Sequence, residues 1–154
     1  MKQTPDDRKI RNNFQPGAIS KDGFLGSDDR HIHDIVEEDH RILSRMGLNP
    51  EMIAKRLKYF IHEGKKGFGS KVDLEGFTVR VEWDRGMLPC PFGEAGLHPK
   101  IVATVTHKEK KKTISYSQLS VHMIQQHCFF GGRGSVFRLD PEELVDVVDM
   151  RGCE

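Results

Sequence analysis

The spacing of apolar residues along this chain changes near Lys71 from a helical period to an alternating one. Before that point Ile32, Ile35, Val36, Ile42, Leu43 and Met46 recur at helical spacing, which predicts a helix starting near Asp28 or Asp29 and running to Met46. Ser27-Asp28-Asp29 suits its N-terminus and Gly47 its stop. A second helix follows, with Asn49 as cap, Pro50 in the first turn and Ile53, Leu57, Phe60 and Ile61 on its apolar face.

After Lys71, Val72 and Leu74 alternate with charged neighbours, and Glu75-Gly76 marks a tight turn. Phe77, Val79, Val81 and Trp83 then share one face, opposite Thr78, Arg80 and Glu82, as in a half-buried antiparallel hairpin. Strands are expected again at 101–106 and 113–116, joined by the charged turn 108–112. A third helix should run from after Ser117 to about His127, a short strand should cover 136–139, and a last helix should begin at Asp140-Pro141 with Leu144, Val147 and Val148 inward. Helices first, then strands, then a mixture point to the α+β class: two N-terminal helices and later helices packed on a small three- to four-stranded antiparallel sheet.

Residues 1–27 are rich in charge, Asn, Gly and Pro, and read as an irregular N-terminal arm; residues 28–154 read as one domain, an ordinary length for a single core. An apolar fraction of 36% and a charged fraction of 31% describe a folded chain with a polar surface. Lys plus Arg number 24 and Asp plus Glu 23, so the whole-chain charge of +1 gives no electrostatic argument for a nucleic-acid or membrane partner. Three cysteines do not build a disulfide scaffold. The first residues lack a signal-peptide layout, and no apolar run approaches the ~20 residues of a membrane helix, so a cytoplasmic protein with free thiols is expected.

Thiols matter because of where they fall. The stretch 84–99 shows no regular period, and connections of that length are usually functional or held by something. Cys90 and His98 sit inside it; His122 and His127 follow on the third helix, with four residues between them, inside the H-x₃₋₅-H range of zinc sites. Sulfur and imidazole donors of this kind suit tetrahedral zinc, so Cys90, His98, His122 and His127 form the expected ligand set, with Zn2+ as cofactor. Seven residues separate Cys90 from His98, which departs from the tight C-x₂₋₄-C knuckle. Five helical steps also place His122 and His127 about 140° apart, so sharing an ion requires His127 to lie in a distorted last turn. Cys128 is the substitute donor if the helix stays regular. Glu94, in the same loop, is a candidate base if such a metal kept an open position.

Other constellations carry less. His33, Glu37 and His40 share a flank of the first helix, and Glu37 with His40 has the Glu-x-x-His spacing of di-metal bundles, but no second copy exists. Asp39 projects into the middle of an apolar stripe, where a carboxylate needs a partner: a structural Arg or Lys, or a histidine that it orients toward a metal. The helix pair 28–63 has a helix-turn-helix look, with Lys55, Arg56 and Lys58 on its second member. The runs 108–112 and 131–134 offer a basic hairpin tip and a glycine-rich turn without the ending of a Walker motif. No nucleophile elbow, metalloprotease helix or deaminase pair occurs.

The expected function is therefore that of a small metal-binding protein with structural zinc, acting by binding rather than catalysis. A nucleic-acid binder built on residues 28–63 is the competing class, and a metal-dependent hydrolase with an open zinc position is the third.

Overall fold

In a computed structural model, residues 5–150 are described. Five helices lie with a four-stranded antiparallel meander in the order β1-β2-β3-β4. The helices are α1 (Pro5–Asn13), α2 (Ile32–Arg45), α3 (Pro50–Gly64), α4 (Gln118–His127) and α5 (Pro141–Val148); the strands are β1 (Val72–Leu74), β2 (Phe77–Pro89), β3 (Leu97–His107) and β4 (Lys112–Ser117). The α+β class holds. Among the described residues no helix is long and apolar enough to cross a membrane.

Local chemistry sets the helix starts. The Asn49 side chain accepts from Met52 N–H at the head of α3, and Asp140 accepts from Glu142 and Glu143 N–H at the head of α5. Pro opens both helices, where its missing N–H costs nothing. In α4, Ser117 and Ser120 form a reciprocal capping box, and Cys128 (φ 52°) turns left-handed to end the helix at His127. By contrast α2 begins at Ile32, after the expected aspartates, and has no side-chain cap. The Asp28 carboxylate is engaged elsewhere, by the Arg30 guanidinium and by Arg133 N–H.

One face of the sheet carries the principal core. Val79 and Val81 of β2, Ala103 and Val105 of β3 and Tyr116 of β4 are fully buried against Leu57 and Phe60 of α3, Ile124 of α4 and Leu144 of α5. Burying such side chains contributes about 1.5–3 kcal/mol each before entropy is counted. Tyr116 satisfies its hydroxyl by donating to Leu57 C=O at 2.7 Å. Arg56 lies over the rings of Tyr59, Phe60 and Phe77 and donates to Val148 C=O, so it serves packing between α3 and the end of α5 rather than an open basic face.

Four expectations need correction. The segment 84–99 is not a structureless connection: β2 and β3 run on past a bulge between Trp83 and Met87, with Met87 opposite Pro99, Leu88 opposite His98 and Pro89 opposite Leu97. Trp83 follows the β2 alternation yet is 53% exposed, although its cross-strand neighbour Ile101 is buried in the core. Residues 136–139 form turn and coil, not a strand. The arm contains a helix, α1, and its Phe14 is fully buried in a second cluster with Ile35, Cys90, Leu119, Met123 and Phe129.

Candidate metal centre

The second core cluster fixes the loop between β2 and β3. A residue before proline is biased away from the helical region, so Pro91 favours an extended Cys90. Gly93 N–H then bonds Cys90 C=O at 3.1 Å and closes a turn around Pro91 and Phe92. Phe92 packs edge-on against Phe14 and Phe129 and stacks on the His127 imidazole, with ring centres 3.9 Å apart and planes 13° apart. Asn13 Nδ2 donates to Pro91 C=O at 3.1 Å, tying the loop to the end of α1. Cys90 is thereby buried and Glu94 is delivered over the end of α4.

Glu94 is the hub. One carboxylate oxygen meets His122 Nε2 and the other lies 2.7 Å from His127 Nε2. The Cys90 thiol donates to the same carboxylate. Donor atoms of Cys90, Glu94, His122 and His127 all fall within 4.8 Å of one another, and among the described residues this is the one such grouping. Burial and then the neighbouring Glu94 push the Cys90 thiol up to about 12. Burial works against the Glu94 charge, but the hydrogen bonds from Cys90, His127 and His122 outweigh it and hold that carboxyl down at about 2.

His127 reaches the group because it occupies the last turn of α4, next to the left-handed Cys128. The angular obstacle set by an ideal helix is met from the other side: a carboxylate with two oxygens spans the two imidazoles, whose ring centres are 6.0 Å apart. Cys128 itself is buried in the principal core, and burial raises its thiol to about 11. It takes no part in the group.

His98 stands beside the group rather than in it. Its ring centre is 4.2 Å from that of His122, while its Nε2 is buried with no hydrogen-bond partner. Of the four residues that spacing singles out, Cys90, His122 and His127 converge with Glu94, while His98 lies beside His122. The signal for Glu94 was its proximity in sequence to Cys90; nothing local distinguishes a bridging carboxylate from a solvated one.

Asp39 does not orient a histidine. It receives the Arg138 fork and is described below. His33, Glu37 and His40 lie outside the donor group. Gly131 to Gly134 do not form a free loop, because their backbone packs on residues 24–28. Comparisons with protein-family models, curated proteins and solved structures find no match to the chain.

Proposed function

We propose that the chain binds one zinc ion through Cys90 Sγ, a Glu94 carboxylate oxygen and the imidazoles of His122 and His127, and that the ion fastens the β2–β3 loop to the end of α4. The observation that carries the reading is the convergence of four donor atoms within 4.8 Å, from a loop and a helix about 30 residues apart in sequence. Thiolate, carboxylate and imidazole are the donor types zinc prefers, and four protein donors fill a tetrahedron, as in structural sites. A filled tetrahedron leaves no place for an activated water, so the protein acts by binding rather than by hydrolysis.

Two of the donors are oriented by their surroundings. The Phe92 ring fixes the orientation of His127, and the turn at Pro91 fixes that of Cys90. Binding exchanges the proton on Cys90 for the metal. The test is elemental analysis of the purified chain, followed by zinc titration against a chromophoric chelator. About one equivalent of zinc is expected, lost in Cys90→Ser and in His122→Ala. Less than about half an equivalent, with thermal stability indifferent to chelator, would end the proposal.

A further inference from the structure

A cleft of about 360 Å³ opens between α3 and α4 beside the donor group, and His122 belongs to both. Its α3 wall follows from the sequence. Lys58, His62 and Lys65 recur at steps of four and three, so they share one face of α3 and of the short 3-10 turn (Lys65–Gly67) that continues it. The α4 wall presents Gln118, Val121, His122 and Gln125, again at steps of three and four, and His98 of β3 also lines the space.

This cleft is one-sided in charge. Among the described residues no carboxylate lines it. Lys58 Nζ donates to the neutral Gln125 Oε1 at 2.5 Å, and Lys65 has no carboxylate partner among the described residues. Of all lining residues, His122 alone is hydrogen-bonded to a carboxylate, and that Glu94 is already shared with His127 and Cys90. Elsewhere four lysines meet carboxylates: Lys110 and Lys112 share Asp146, Lys66 meets Glu63 and Lys108 meets Asp73. A volume of this size lies within the range of small-ligand sites, and amide side chains beside the ammonium groups supply the neutral donors that orient an oxyanion.

We infer that the α3–α4 cleft binds a small phosphate-bearing molecule, its oxyanion held by Lys58, His62 and Lys65 with Gln118 and Gln125 as flanking donors. The inference deepens the zinc proposal and rests on it only in that His122 is shared by the cleft and the donor group. Lysine serves here as a point-charge phosphate binder on a cleft wall. The molecule is small because the donors line one bounded cleft instead of a track along the surface.

The test is titration of the full-length, zinc-loaded chain, uniformly labelled with nitrogen-15, with inorganic phosphate in chloride buffer. Saturable shifts should appear at residues lining the cleft. The double variant Lys58→Gln, Lys65→Gln should bind phosphate at least about tenfold more weakly at unchanged zinc content. Absence of a saturable response at millimolar phosphate, or an equal response in the double variant, overturns the inference. Binding of a short oligouridylate through the same lysines, with no competition from free phosphate, also overturns it in favour of a nucleic-acid surface. Repeating the titration after zinc removal separates the two proposals. A phosphate response in a chain that takes up no zinc leaves the cleft standing alone, and zinc uptake without a phosphate response leaves only the metal centre.

Discussion

Arg138 places its guanidinium against the Asp39 carboxylate with two hydrogen bonds, at 2.5 and 3.0 Å, joining the middle of α2 to the loop that precedes α5. The carboxylate side chain is 3% exposed and the guanidinium 18%. Arg138 Nη1 also donates to Gly131 C=O, so one side chain holds both a buried charge and a loop carbonyl. Burial raises the pKa of Asp39, and the Arg138 fork pulls it the other way.

Removing one member of such a pair leaves a buried group without its partner. Arg138→Met should cost about 3–5 kcal/mol in urea unfolding, whereas Arg138→Met combined with Asp39→Leu should recover a large part of that loss. Equal losses in the single and double variants would show that the pair has no such coupling. Zinc content should not respond to Asp39→Asn, since Asp39 bonds Arg138 and not a donor histidine.

Much of this architecture is legible in the sequence because its signals are local. Asn49-Pro50 and Asp140-Pro141 announce helix starts through their own side chains and rings, and the alternation of Phe77, Val79 and Val81 announces a half-covered strand. Signals fail where burial is decided at long range. Beyond Trp83 the β2 positions Asp84 to Met87 are all exposed, so alternation has nothing to report there, and Gly86, Pro89 and Pro99 suggest a loop where pairing continues. Helix α1 has a largely polar sequence and is stationed by Ile10 and Phe14 in the second cluster. In the donor group the soft ligands Cys90, His122 and His127 stand out by type, while Glu94 is one of many carboxylates until the turn at Pro91 carries it to α4.

Phe92 offers a test of how the loop supports the proposed zinc site while every donor residue stays in place. Its ring stacks on His127 and wedges between Phe14 and Phe129. Phe92→Ala removes no ligand but frees His127 to rotate and loosens the turn that carries Cys90 and Glu94. Zinc affinity should fall by about tenfold or more, the range seen when supports of metal ligands are removed. Chelator competition measures it, and an unchanged affinity would place the orientation of His127 elsewhere.

Asp28 gives the chain an acid-sensitive contact. Its pKa is held well below the ordinary carboxylate value, first by the Arg30 guanidinium at 2.6 and 2.9 Å, with burial opposing and the Arg133 and Arg30 N–H groups adding to the fall. A lowered pKa in the folded state means the contribution is fully present above the unfolded value, near 3.8, and is lost as pH falls toward and through the folded one. Asp28→Asn should therefore cost about 1–3 kcal/mol at pH 7. The gap between the wild-type chain and the variant should narrow steadily as pH drops below about 4. Urea unfolding across that window reads it, and a gap independent of pH would assign the loss to shape instead of charge.

Gly132 is required by contact, not by backbone freedom. A Cβ built there would lie 2.2 Å from Leu25 O and 2.6 Å from Leu25 Cα, and those are backbone atoms that no rotamer change can move. The closeness belongs to a small backbone seam: Gly132 N–H bonds Phe24 C=O and Ser27 N–H bonds Arg133 C=O, both at 2.9 Å. Through this seam residues 24–28 are fastened to the loop between α4 and α5, and Leu25 is held in the core at 5% exposure. Gly132→Ala must therefore separate the two segments, breaking those bonds and lifting Leu25. A loss of about 3 kcal/mol or more is expected, at the upper end of overpacking costs. Hydrogen exchange should show the Gly132 and Ser27 amides losing protection in the variant, while Val79 and Val105 in the sheet keep theirs up to the lowered global stability. If both seam amides stay protected and the unfolding midpoint does not move, the close approach of the two backbones is not part of the folded chain in solution.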